Sequence, residues 1–152
     1  MINMKFEALC IILAGWSHSA DPAKKRATEV CTAVAIEATK QQVPVDEALA
    51  LAWAESRFTP TVNRRTGAKG PMQVLPKWWC PKPATSCDYV EAGVRALKTF
   101  KKLFPGFKNA VCHYNSGVDP ECPARSESFA EAVEVQRVKI KRQLMRSKSG
   151  AK

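Results

Sequence analysis

A chain of 152 residues, 45% of them hydrophobic and 25% charged, is about the size of one domain with a sizeable core, so one catalytic module is the ceiling. Lys and Arg number 24 against 14 Asp and Glu, and the resulting formal charge of +10 favours polyanionic partners: nucleic acid, anionic lipid or bacterial cell wall. No apolar run reaches the roughly 18 to 20 residues that span a bilayer.

At the N-terminus Lys5 precedes the apolar run Leu9 to Trp16, and small residues follow at Ser17, Ser19 and Ala20. This reads as a secretory signal over residues 1–20, with an N-terminal core helix as the competing reading because Glu7 and His18 fit a leader poorly. Cys10 would leave with the leader. Outside the cytosol the remaining cysteines are free to oxidise, and the nearest neighbours are Cys80 with Cys87 and Cys112 with Cys122. Each such bridge closes a short loop and stabilises by on the order of 2 to 4 kcal/mol. Cys31 is left over and reads as an inert core thiol, although another connectivity stays open. Zinc at Cys112, His113 and Cys122 lacks the paired short-spaced ligands such sites use.

Asp21-Pro22 offers a cap and a first-turn proline to a packing helix on which Ala27, Val30, Cys31, Val34, Ala35 and Ala38 recur at helical spacing. A second helix starts at Pro44, with Asp46 and Glu47 at its positive end, and puts Ala48, Leu51, Ala52 and Glu55 on one face. Pro60 stops it. A glutamate on an apolar stripe loses water, and the negative end of its own helix pushes its pKa the same way, up. Glu55 is therefore a candidate proton donor near neutral pH, although a partly exposed helix-end glutamate is the commoner reading of that pattern alone.

From Thr61 to Pro83 the chain is rich in Gly, Pro and basic residues, with a short hairpin expected around Thr66-Gly67 and Met72-Gln73-Val74. Gly67 and Gly70 allow this segment to fold back toward Glu55. Trp78-Trp79 can form a sugar-stacking wall or simply pack the loop on the body. Asp88 and Glu91 read as a capping box for a helix bearing Tyr89, Ala92, Gly93, Ala96, Leu97, Phe100, Leu103 and Phe104. Gly93 in its interior implies a close helix contact. Pro105-Gly106 ends that helix, and a shorter one carries Phe107, Ala110 and Val111 to Tyr114. Ser128 and Glu131 read as the cap of a last helix bearing Phe129, Ala132, Val133, Gln136, Ile140 and Leu144. From Arg137 to Lys152 all charges are basic, which suits an anionic wall or membrane surface, and residues 146–152 read as a solvated tail. The organisation expected is a leader (1–20), a catalytic domain (21–145) and a basic tail (146–152).

Several of these segments carry a resemblance. Glu55-Ser56-x-Phe58-x-Pro60 and Gly67-Ala68-x-Gly70-x-Met72-Gln73-Val74-x-Pro76 resemble the signature of the soluble lytic transglycosylases. Ala92-Gly93 resembles that family's alanine-glycine helix, and Tyr114-Asn115-Ser116-Gly117 its tyrosine-asparagine-alanine-glycine motif. Together they cover about residues 44 to 117 in the family's order and spacing. The resemblance implies a mainly α, lysozyme-like domain with a short β-hairpin or loop region beside the active-site groove.

It also implies a chemistry that needs one carboxyl and neither metal nor other cofactor. Glu55 is the catalytic residue implied, acting first as acid and then as base. Gln73 and Asn115 offer amides, and Tyr114 a ring and hydroxyl, to orient the sugar. Ser56 and Met72 are weaker substrate-binding candidates, with a backbone bond at the helix end and a filled groove floor as their competing roles. Pro71 stands where the family usually has leucine, Arg64 where serine is common, and Phe129 where a tyrosine often lies. The partners implied are peptidoglycan glycan strands and components of a secretion or conjugation apparatus, with no specific nucleic acid. The product is a 1,6-anhydromuramyl end, made by a monomer acting in the periplasm or outside the cell. The alternatives are a muramidase, phage or bacterial, hydrolysing the same bond, and a basic helical protein that binds nucleic acid without catalysis.

Overall fold

The computed structural model describes residues 2–82 and 84–149. Over them the chain forms α1 (Ile2–Gly15), α2 (Ala23–Lys40), α3 (Val45–Ser56), a short α4 (Pro76–Trp79), α5 (Tyr89–Leu103), α6 (Phe107–Ser116) and α7 (Ala124–Ser149). The mainly helical class expected from the sequence is the class observed.

Helix α3 is the centre. Ala48, Leu49, Ala50, Leu51 and Ala52 are all buried, so the middle of the helix keeps no polar face, where the sequence suggested a single stripe. The reason is the alanines: their small side chains let α2 pack on one side and α7 on another. Phe58, Leu49, Leu51, Met72, Leu97, Val111 and Val133 join one continuous core around it, each large apolar side chain contributing roughly 1.5 to 3 kcal/mol by leaving water.

Residues 2–15, which the sequence suggests as the body of a leader, form α1. Its Phe6, Leu9, Cys10, Leu13 and Ala14 recur at helical spacing and are buried in the core, where α1 lies along α2. Cys10 and Cys31 are bonded, with Cα atoms 5.6 Å apart. The expected inert Cys31 thiol is thereby corrected, since that expectation depends on Cys10 being absent. Cys80 pairs with Cys87 and Cys112 with Cys122, as their spacing suggests.

Two helix starts differ from expectation. Pro22 rather than Asp21 caps α2, without a side-chain bond. Helix α7 starts at Ala124, ahead of the Ser128 cap, because the Pro123 carbonyl accepts from the N–H groups of Ser126 and Glu127 and so begins the turn earlier. Its buried residues, among those described, are Ser126, Ala130, Val133, Gln136 and Ile140, while Ala132 faces solvent. The helix runs through residues 146–149 of the tail expected at 146–152, and residues 150–152 lie outside the described residues. At the head of α5 only half of the capping box forms. Asp88 accepts from the N–H groups of Val90 and Glu91, whereas the Glu91 carboxylate turns to Arg95.

Candidate active site

Helix α3 ends abruptly. Arg57 closes it in the left-handed region at φ 55°, and Phe58 follows at φ 60°, two successive non-glycine residues in a conformation that costs on the order of 1 to 3 kcal/mol each. Contacts on three sides hold the bend. Phe58 is buried; the Arg57 guanidinium lies 3.3 Å from the centre of the Trp53 ring; and the Ser56 hydroxyl donates to the Pro71 carbonyl at 2.7 Å while accepting from the Thr59 N–H. The last turn of α3, which carries Glu55, is thus fastened to the loop that follows.

That loop is a tight double turn. The expected hairpin is present as two antiparallel bridges, Val62 with Lys69 and Lys69 with Val74. Gly70, at φ 85°, also leaves no room for a side chain, since a Cβ there would meet the Tyr89 Cβ at 2.5 Å. Gln73 sits at φ 53° and spends its amide N–H groups on the carbonyls of Thr61 and Gly70. Met72 is fully buried beneath, and Gly93 of α5 approaches so closely that a Cβ on it would lie 2.6 Å from the Met72 Cβ. This is the close contact expected for Gly93.

Helix α6 brings Tyr114 to the same place. Its hydroxyl donates to the Met72 carbonyl at 2.7 Å, and its ring meets Phe100 edge-on at 5.8 Å between centroids. Burial, and after it the charge of Glu55, push the phenol well above its ordinary pKa, so Tyr114 remains a protonated donor. Glu55 itself is pushed from 4.5 to about 7 by the loss of solvent on burial.

Beside this pair runs a groove of about 620 Å³, walled by Gln73, Trp78, Trp79, Phe100, Tyr114 and Asn115, with Val118 at its edge. None of the residues lining it is acidic. Five carboxylates elsewhere are ion-paired: Asp46 and Glu134 with Arg137, Glu47 with Lys101, Glu91 with Arg95, Glu131 with Lys108.

Of the residues singled out from the sequence, Glu55 and Tyr114 come together, and Gln73, Tyr114 and Asn115 line the groove. The Asn115 Oδ1 accepts from the Ser126 hydroxyl at 2.7 Å, which orients the exposed amide. Ser56 and Met72 turn into the protein: the Ser56 hydroxyl is used on backbone, and the Met72 side chain is covered. His113 is buried, stacked on Phe104, with Nδ1 3.1 Å from the Gly117 carbonyl. Sequence reasoning missed Ser126, Phe100 and Val118. The signal for Ser126 lay in the cysteines, because the Cys112–Cys122 bridge returns the chain beside α6.

Neither curated proteins nor solved structures provide a match to the chain. A family model does, the transglycosylase SLT domain, over residues 32–132, a span from within α2 into α7 that includes Glu55, the double turn, Tyr114 and Asn115. Since that span is more than half of the sequence, the chain belongs to the transglycosylase SLT domain family, with its lysozyme-like fold and its peptidoglycan substrate.

Proposed function

We propose that the chain is a lytic transglycosylase that cleaves the β-1,4 bond between N-acetylmuramic acid and N-acetylglucosamine, leaving a 1,6-anhydromuramyl end. The observation that carries this reading is a single desolvated carboxyl, Glu55 at a pKa of about 7, beside a groove with no acidic lining residue. Most glycosidases need two carboxylates across the scissile bond. One suffices if the sugar supplies the nucleophile.

Protonated Glu55 gives its proton to the glycosidic oxygen as the C1–O bond breaks, and the muramyl N-acetyl group assists departure. The carboxylate so formed takes the proton of the muramyl C6 hydroxyl while that oxygen bonds to C1. Glu55 is restored and no water is consumed. The protein's part is to hold the sugar and keep water out. Tyr114, oriented by Met72, the Gln73 amide oxygen and the Asn115 amide N–H groups serve the first task. The indoles of Trp78 and Trp79 present rings to sugar C–H faces.

The test is digestion of purified murein by the native protein and by Glu55→Gln, with products read by mass spectrometry. We expect products lighter by one water than those of a muramidase, and no turnover by the variant. Hydrated reducing ends from the native protein would make the chain a muramidase.

Work outside the cytosol belongs to the same proposal, and the Cys80–Cys87 and Cys112–Cys122 disulfides suit an oxidising compartment. The chain acts there as a monomer that opens glycan strands for a secretion, conjugation or pilus apparatus. Residues 1–20 are then a leader. A second reading, favoured by the Cys10–Cys31 bond and the buried face of α1, keeps that helix in the working domain. N-terminal sequencing of exported protein separates the two. A start after Ala20 supports the leader, whereas a start ahead of Cys10 makes α1 part of the enzyme.

A further inference from the structure

Trp53 precedes Glu55 by two positions, which turns it about 200° around α3, away from the acid. There it lines a separate notch of about 460 Å³ with Trp16, Gln136, Lys139, Arg142, Gln143 and Arg146. Three of these side chains are cations and none is an acid. Ion pairing along α7 stops at Arg137, which is shared between Asp46 and Glu134; among the described residues Lys139, Arg142 and Arg146 join no ion pair. No acidic residue follows in the sequence to neutralise them. The indole N–H of Trp53 is buried without an acceptor among the described residues.

Large apolar side chains stand exposed around the notch's elements. Trp16 is 38% exposed and Ile12, one helical turn before it, 43%; on α7 Met145, between Arg142 and Arg146, is 59% exposed. Val135, Lys139, Arg142 and Arg146 recur at helical spacing and share one face of α7. Cations, indoles and exposed aliphatic groups on one face match an interface rather than bulk water: indoles favour the headgroup level, guanidiniums pair with phosphate, and aliphatic groups reach the acyl boundary.

We propose that, in the chain that retains α1, this face docks on a bilayer of anionic phospholipid, with a headgroup phosphate seated in the notch between Arg142, Arg146 and the indoles of Trp16 and Trp53. Duplex nucleic acid would use the cations but leave Ile12, Trp16 and Met145 without a role. Because Glu55 lies on the other side of α3, its groove stays open to glycan while the protein is docked.

Full-length protein is mixed with vesicles of phosphatidylcholine alone and with vesicles that also contain phosphatidylglycerol, and the bound fraction is read by co-sedimentation. Binding is expected only to the phosphatidylglycerol vesicles, weakening as salt is raised. Each cation removed lowers the partition about fivefold, so Lys139→Gln/Arg142→Gln/Arg146→Gln together cost on the order of 100-fold. Trp16→Ala, which leaves the charge intact, also weakens binding and removes part of the blue shift in tryptophan emission. Equal binding to both vesicles, undiminished binding by the triple variant, or retention by duplex DNA without retention by vesicles overturns the proposal.

Discussion

The Tyr114 hydroxyl donates to the Met72 carbonyl at 2.7 Å, and Glu55 is near enough that its charge helps keep that phenol protonated. One side chain from α6 therefore ties the floor of the double turn to the acid at the end of α3. Tyr114→Phe leaves the Met72 carbonyl without its donor, at a cost of about 1 to 3 kcal/mol. Melting several degrees lower is expected, with turnover of murein down at least about tenfold and the fold intact by circular dichroism. A variant with native melting and native turnover would cut the link between loop and acid.

The burial of Glu55 has a consequence for stability that runs opposite to the usual carboxylate. Its pKa is raised from 4.5 to about 7 on folding, so between those values the folded state binds the extra proton and stability falls as pH rises. Below the window both states are protonated and nothing is lost; above it the full cost applies, at most about 3 kcal/mol. Glu55→Gln removes the cost. The variant should melt above the native protein at about pH 8 and with it at about pH 4. Coincident melting curves at both ends would mean that the carboxyl is not desolvated.

The same titration sets the rate profile, because the first step needs the protonated acid. Turnover per unit of substrate at low concentration should fall about tenfold per pH unit above neutrality, along a single ionisation. An activity that rises into the alkaline range would assign the proton donor to another group.

Glu55 was legible because it interrupts an apolar stripe and is followed by glycine turns, and Tyr114 because its neighbours repeat a known motif. The burial of α3 on all sides was not, since a run of alanines carries little periodicity and fits a stripe as well as a core. An apolar N-terminal run reads alike as leader or core helix, and the burial of Phe6, Leu9, Cys10, Leu13 and Ala14 depends on the neighbouring α2, which no local pattern shows. The contact of Ser126 with Asn115 crosses a loop, and of the sequence signals only the Cys112–Cys122 spacing bears on it. The Ser128 capping box misled because Pro123 opens the turn upstream.

Gly93 tests how tightly the floor is built. In Gly93→Ala the new Cβ would stand 2.6 Å from the Met72 Cβ and 2.7 Å from its Sδ, so Met72 must shift and carry its backbone with it. Overpacking of this kind costs about 1 to 3 kcal/mol, which exceeds the gain of up to about 1 kcal/mol from replacing glycine within a helix. Gly93→Ala is expected to melt lower, and adding Met72→Ala, which makes room, to recover part of the loss. If Gly93→Ala melts at or above the native temperature, the contact is looser than described.

The two adjacent tryptophans of α4 should separate by role. Trp79 packs on Phe100 at 6.1 Å between centroids, lies under the Arg95 guanidinium, and its carbonyl accepts from Arg95 Nη2 at 2.6 Å. Trp78 is 67% exposed, and its ring meets the Lys77 ammonium at 4.8 Å. Trp79→Ala thus removes packing between α4 and α5 and should lower stability by about 1 to 3 kcal/mol. Trp78→Ala removes a surface that only a bound glycan would cover, so melting stays within about a degree of native. Its effect should fall on KM, up about three- to tenfold, with kcat nearly constant, since stacking on a remote sugar contributes alike to ground and transition states. An unchanged KM in Trp78→Ala would take that indole out of the groove's working wall and leave Trp79, Phe100 and Tyr114 as its aromatic lining.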